Sequence, residues 1–318
     1  MSNRVVYSHL FDLLSRGRTA LTLRLFCWFL IGMPIYARSQ APTVSYTSPQ
    51  AYHTGTAIST LSPTSSNVPA LTYGNVTTYA GSGTSGGADN ANPLSATFQS
   101  IKAITRDARG NMYVAEHDGK RIRKIAPNGT VTTLKQWVSF MPNNIEINSA
   151  TGDLYISIAS HRILKVPNSN AANYPAQDPT YPDWTDATIV WLGSSSSGNG
   201  DGIGTSARFD VPLGLDVDAS NTYLYIADYN NNRIRRVTIA SGQVTTVTTN
   251  GSTAVGITYP EAVVLDATGN LYVTSSNTRR VHKITGAVNS ASISDFAGSG
   301  SAGYLDGQGT TARFNEPR

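Results

Sequence analysis

Cysteine is all but missing from this sequence: the single copy, Cys27, stands inside the first forty residues. Downstream of it there is no thiol to form a disulfide, bind a metal as thiolate or act as a nucleophile. Stability therefore has to come from packing. Charge is also scarce, at 14% of 318 residues, and the stretches rich in Ala, Glu, Lys and Leu that mark long helices do not occur. No apolar run approaches the roughly 20 residues a membrane-spanning helix needs. The net charge of +4 is concentrated at the start. Residues 1–39 hold five of the 24 basic residues and one of the 20 acidic ones, so 19 of each remain. A neutral body carries no electrostatic footprint for nucleic acid or an anionic membrane. What the chain does have is 28 Gly and 16 Tyr, a composition of strands and tight turns.

The N-terminus accounts for the excess charge. Arg16, Arg18 and Arg24 lead into the apolar stretch Leu25–Met33, followed by Pro34 and the small residues Ala37 and Ser39. This is the layout of a secretory signal peptide over residues 1–39, cleaved before Gln40. It predicts a secreted or cell-surface protein with no membrane span after cleavage. No small-residue pattern precedes Cys27, so a lipid-anchored cysteine is not expected.

Internal periodicity is the strongest signal. One unit is written four times, with central tyrosines Tyr113, Tyr155, Tyr225 and Tyr272 at spacings of 42, 70 and 47 residues. About 42–47 residues suit four short antiparallel strands with their turns, one blade of a β-propeller. The long gap holds an insertion at about residues 168–188. Within a unit an apolar run such as Ala262–Leu265 predicts the innermost strand, and a Leu-Tyr-Val or Leu-Tyr-Ile core the second. Asp107, Asn148 and Asp266, each with a Gly three or four residues on, predict the hairpin turns between them. Arg121–Ile125 and Arg233–Val237 alternate, predicting a third strand with one apolar and one basic solvent face. Val244–Val247 reads as a fourth strand, and Val76–Ala80 as a stray outer strand before the first unit.

Gly214–Asp218, Leu224–Asp228 and Asn232–Arg235 carry a resemblance to the NHL repeat. It covers about residues 73–318. Asn232 stands where that family's naming His sits, and the second copy is degenerate. The resemblance implies an all-β propeller of NHL-type four-stranded blades, usually six. Four are present, and Phe314–Arg318 matches the lead-in to another inner strand, so the expectation is a C-terminally incomplete six-bladed propeller. Residues 40–72 form a linker that resembles the start of a bacterial immunoglobulin-like repeat, too short for a sandwich of roughly 100 residues.

Two stretches, starting at Gly81 and Gly298, match G-x-G-x-x-G, but no helix is predicted after either to receive a pyrophosphate, so both read as interblade loops. In these loops Asp201 precedes Arg208 and Asp306 precedes Arg313 by seven residues, which predicts an ion-pair brace with Phe209 or Phe314 as an interblade plug. The first copy has Asp89 but Thr97 in place of the Arg, so its brace is expected to be absent. A ring of such Asp residues around calcium is the competing reading, but one Asp per loop falls short of calcium's six to eight oxygens. His53, His117, His161 and His282 occupy unrelated repeat positions and read as isolated surface histidines. They do not assemble the histidine-bound metal that resemblance to amidating lyases with related propellers would imply.

Loops between second and third strands share a rim with the interblade loops. That places Glu116, His117 and Asp118 with Asn230, Asn231 and Asn232 as ligand-binding candidates. Tyr174, Tyr181 and Trp184 in the insertion are aromatic candidates of the kind recognition surfaces use. The leading expectation is an exported scaffold that recognises a protein or glycan partner, without catalysis. The alternative is a metal-dependent lyase or lactonase-like hydrolase in the central channel, with Glu146 and Glu261 as its acids. A structural module of a larger adhesin is the third reading.

Overall fold

An apolar run, an Asx turn and a tyrosine-centred second strand, repeated four times, fold as four antiparallel sheets. A computed structural model of the chain describes residues 43–45, 64–66, 76–167, 190–249, 254–286 and 289–318. It separates into two units, Met1–Val76 and Thr77–Arg318. In the first, β1 (Thr43–Ser45) pairs antiparallel with β2 (Thr64–Ser66).

The second unit holds the blades. The first is β3 (Ile101–Arg106), β4 (Met112–Glu116), β5 (Arg121–Ile125) and β6 (Val131–Gln136), paired in that order. The second is β7 (Pro142–Ile147), β8 (Leu154–Ile158), β9 (Arg162–Val166) and β10 (Val190–Gly193). The third runs β12 (Pro212–Val217), β13 (Tyr223–Asp228), β14 (Arg233–Thr238) and β15 (Gln243–Thr246), with the two-residue strand β11 (Gly202–Ile203) on its outer edge. The fourth is β16 (Pro260–Leu265), β17 (Leu271–Ser275), β18 (Arg280–Thr285) and β19 (Ser292–Ala297). The first strands pack side by side, β3 on β7, β7 on β12 and β12 on β16, so they are the inner strands of consecutive blades.

The turns use the predicted chemistry. Asp107 accepts bonds from the Asn111 backbone and side chain (2.8 and 2.7 Å) and from the Tyr113 hydroxyl (3.2 Å). Asp266 does the same with Asn270 and Tyr272. Bonds from the Thr268 and Asn270 side chains, helped by their backbone amides, hold the Asp266 carboxyl well below the usual range. Tyr113 and Tyr272 thus tie their strands to their own hairpins.

The core lies between blades rather than within one sheet. Tyr155, Ile163 and Leu192 of the second blade pack with Phe209, Leu224 and Val244 at the third. Phe209 is fully buried there, as an interblade plug should be. Three loops outside the sheets each add a short 3-10 turn, at Pro93–Ser95, Gly204–Ser206 and Gly309–Thr311. No α-helix occurs among the described residues, and none of their helical segments is long and apolar enough to cross a membrane.

Two expectations are corrected. Val76–Ala80 forms no strand, because a strand needs a partner for its backbone groups and no described strand lies beside it. The third strands do not present all their basic residues to solvent, since Arg123 and Arg235 are completely buried.

Candidate functional site

Those two arginines organise the rim. Arg123 donates from Nη1 to Glu116 (2.9 Å) and the Thr97 carbonyl (2.7 Å), and from Nη2 to Asp89 and the Ala88 carbonyl (both 2.9 Å). Its guanidinium lies 5.0 Å from the Phe98 ring centroid. Arg235 repeats every contact, with Asp228, Asp201 and the carbonyls of Arg208 and Gly200, 5.1 Å over Phe209. Burial pushes the Glu116 and Asp228 carboxyls up and the guanidiniums pull them back. The aspartates of the loops therefore brace onto the third strand. Asp201 does not meet Arg208, which instead caps the carbonyls of Thr205, Ser206 and Ala207. Asp89, expected to lack a brace, has one. No ion pair joins Asp306 to Arg313 among the described residues.

The candidates from sequence meet at this rim but do not act alike. His117 N donates to Ser100 O and Asn230 N to Asp210 O, tying the second-to-third-strand loops to the interblade segments. Glu116 is buried and held by Arg121 (2.8 Å) as well as Arg123, so it is a brace and not a solvent-facing ligand group. His117 is half-buried, with Nδ1 3.1 Å from the Pro142 carbonyl, while Asp118 is exposed. Asn231 donates to Gly198 O and Asp228, and Asn232 accepts from Tyr259 N (2.8 Å). Asn230 is exposed and donates to Asp210 (3.2 Å). Tyr174, Tyr181 and Trp184 lie outside the described residues, as does His53. His282 is not a surface residue: it is 7% exposed, between Asp295 (3.0 Å) and Thr278 (3.1 Å).

Sequence reasoning missed a rim cavity of about 480 Å³, lined by Ser139, Phe140, Arg162, Ser194, Ser195 and Thr205. It sits where the outer strand of the second blade meets the loop into the third. Gly193 makes the corner there with φ of +84°, and a Cβ on it would stand 2.5 Å from the His161 carbonyl and 2.9 Å from Phe209. Phe140 falls between repeats, so periodicity gave no sign of it.

A second constellation lies on the inner strands. Thr105, Glu146 and Asp216 occupy the same register position in successive blades, opposite Tyr113, Tyr155 and Tyr225. Thr105 donates to Glu146 (3.3 Å), and Asp216 accepts from the Leu265 amide. Burial, helped by the Asp216 charge, pushes Glu146 up to about 7, and burial raises Asp216 too. Glu261 stands toward the other end of its strand, one residue from Pro260. Two carboxylates and a hydroxyl do not suit a histidine-bound metal, and no cluster of three or more His, Cys, Asp or Glu side chains fit for a metal occurs among the described residues. For calcium at the rim, Asp89 and Asp201 are already committed to guanidiniums.

The sequence profile of the Teneurin NHL domain matches residues 74–255. Among solved structures, the chain is similar to a Bacteroides thetaiotaomicron protein of unknown function, with TM-score 0.54 and 18% identity over 76% of this chain and 54% of that one. It thus spans about half of that protein's length. It is also similar to an auxiliary nutrient binding protein of Bacteroides ovatus, at 18% identity over 63% of this chain and 49% of that one, TM-score 0.46. A third is virginiamycin B lyase from Staphylococcus aureus, at 17% identity over 62% and 55%, TM-score 0.42. No curated protein sequence matches the chain at a significant level.

Proposed function

We propose, from the premise that the chain belongs to the Teneurin NHL domain family, that it is an exported scaffold which recognises a glycan or protein partner through the loops of one propeller rim. The observation that carries this reading is the open, hydroxyl-lined cavity between the second and third blades. Its surroundings are preorganised: the loop beside it hangs on buried Arg235, which bonds Gly200 O, and on Asn231, which bonds Gly198 O. A rim held in place before binding loses little conformational entropy on contact, which favours recognition. Export rests on the signal-peptide layout of residues 1–39.

A glycan array probed with the purified chain tests the reading. Binding to a defined glycan class is expected. It should be lost in a rim variant combining Asp118→Ala, Ser195→Ala and Asn230→Ala. Binding that survives in the variant would move the site away from this rim.

Catalysis on the inner strands is the second reading, favoured by one observation: Glu146 titrates near neutrality beside Asp216. A carboxyl poised there suits general acid–base chemistry on an ester or lactone. A panel of chromogenic esters and lactones assayed at pH 6–8 tests it, with Glu146→Gln as the control. Turnover unaffected by that substitution, or none at all, sinks it.

A further inference from the structure

Each blade opens its third strand with an arginine at the rim: Arg121, Arg162, Arg233 and Arg280. Three of the four are engaged. Arg121 Nε lies 2.8 Å from Glu116, Arg280 Nε is 3.3 Å from Asp295 and its Nη2 donates to Ser299 O, and Arg233 donates to Asn199 O (3.4 Å). Arg162 has no carboxylate or carbonyl partner among the described residues. Its guanidinium rests 5.9 Å from the Phe140 ring centroid and lines the rim cavity.

The cause is legible in the strand register. Where the first and third blades carry Glu116 and Asp228 at the end of the second strand, the second blade carries Ile158. Where they bury Arg123 and Arg235, it buries Leu164. In the first blade that acid also holds the strand-opening Arg121, whereas Arg233 and Arg280 find their partners elsewhere; the second blade has Ile158 in the acid's place, and Arg162 lines the cavity. Asp210, the carboxylate that follows the interblade Phe209, is engaged by His161 (3.4 Å) and Asn230 (3.2 Å).

A guanidinium 5.9 Å from an aromatic ring centroid lies at the outer edge of cation–π contact, and its planar fork of donors matches a carboxylate or sulfate edge-on. Around it stand the hydroxyls of Ser139, Ser195 and Thr205, and that of Ser194, which is bonded to the Ser196 backbone (3.3 Å), beside apolar Phe140 and Val190. Hydroxyls both donate and accept, so this lining suits a ligand rich in hydroxyls of its own. We infer that the cavity is an oxyanion subsite for an acidic saccharide, with Arg162 on the carboxylate or sulfate ester and the serines and threonine on ring hydroxyls. The inference rests on the rim-recognition reading and names its ligand class.

Calorimetric titration of the full chain with trigalacturonate, a sulfated heparin disaccharide and neutral galactotriose tests it, and the two acidic probes separate a carboxylate from a sulfate preference. At least one acidic probe should bind, and the neutral one at least about ten-fold more weakly. Arg162→Gln should weaken acidic binding about ten-fold or more, and Arg162→Lys should recover part of it because the charge returns without the fork. Arg233→Gln, on the neighbouring blade, should stay within about two-fold of the parent, inside the few-tenths kcal/mol scatter of independent sites. Thermal unfolding of each variant checks that folding is intact. Equal binding by the Arg162→Gln variant, equal binding of the neutral sugar, no binding of either acidic probe, or tighter binding of triglutamate would each overturn the assignment. The glycan array separates this from the broader reading. A glycan bound through the rim but indifferent to Arg162→Gln defeats only the oxyanion subsite, whereas a rim that binds nothing defeats both.

Discussion

Arg235 and Asp228 face each other on adjacent strands, both fully buried, with Nη1 2.8 Å from Oδ2. The pair recurs as Arg123 and Glu116 at 2.9 Å, again seven residues apart. A buried ion pair draws its net benefit from completeness, because the desolvation cost of two charges is offset only when every donor and acceptor is met. Here the loop aspartate, two loop carbonyls and a phenylalanine ring engage both terminal nitrogens of the guanidinium, and its buried Nε is left without a hydrogen bond. The result is a lock between the third strand of a blade and the loop that leads into that blade.

The second blade supplies the control for that lock, since Ile158 and Leu164 fill the equivalent places and are fully buried. Arg123→Leu alone should destabilise the protein by about 2–4 kcal/mol, because it leaves the buried Glu116 carboxylate with Arg121 alone and removes the cation that holds Asp89. Adding Glu116→Ile should recover most of the loss. Chemical denaturation of the two variants beside the parent measures both steps, and no recovery in the double variant would contradict the account.

Glu146 makes stability depend on pH. Unfolded, it ionises near a glutamate's ordinary value of 4.5; folded, burial pushes it up to about 7. Between these values the folded state holds a proton that the unfolded state has lost. Stability should therefore fall as pH rises from about 4.5 to about 7 and level off above, by at most about 3 kcal/mol. Asp216, also raised, acts in the same direction from a lower starting point. Glu146→Gln should flatten the dependence and raise the melting temperature at pH 8, as differential scanning calorimetry at pH 5 and pH 8 would show.

Gly214 marks the closest approach of two inner strands. A Cβ there would sit 2.6 Å from Ala262 Cα and 2.7 Å from the Glu261 carbonyl, both backbone atoms that cannot swing aside. Gly214→Ala should cost about 1–3 kcal/mol by forcing β12 off β16. A melting temperature unchanged from the parent would show that the blades can shift freely.

Asn232 combines a left-handed backbone, φ +55°, with a side-chain bond to the Tyr259 amide. Asn232→Ala removes the bond and keeps the strain, for an expected loss of about 1–2 kcal/mol. Asn232→Gly relieves the strain and should lose less. Urea unfolding of both variants tests the order. This position is where the sequence pattern of the repeat departs from its usual His, and the backbone conformation explains why Asn serves.

The blade count, the strand order within each blade, the Asx turns and the sharing of one rim by two sets of loops were all written in the sequence. They follow from local rules: alternation along a strand, turn chemistry confined to four or five residues, and a period that copies both. Tertiary structure alone decided which basic residues of the third strand are buried. Alternation places Arg123 and Arg235 with the solvent face, and only an acid from the preceding strand, an aspartate 34 residues upstream and a loop phenylalanine make their burial tolerable. The same long-range pairing reassigned Glu116 from ligand group to brace. It also left Arg162 beside a cavity, in a blade where Ile158 and Leu164 stand in place of the acid and the buried arginine. The repeat period marks where such residues stand; which of them meet depends on the packing of one blade against the next.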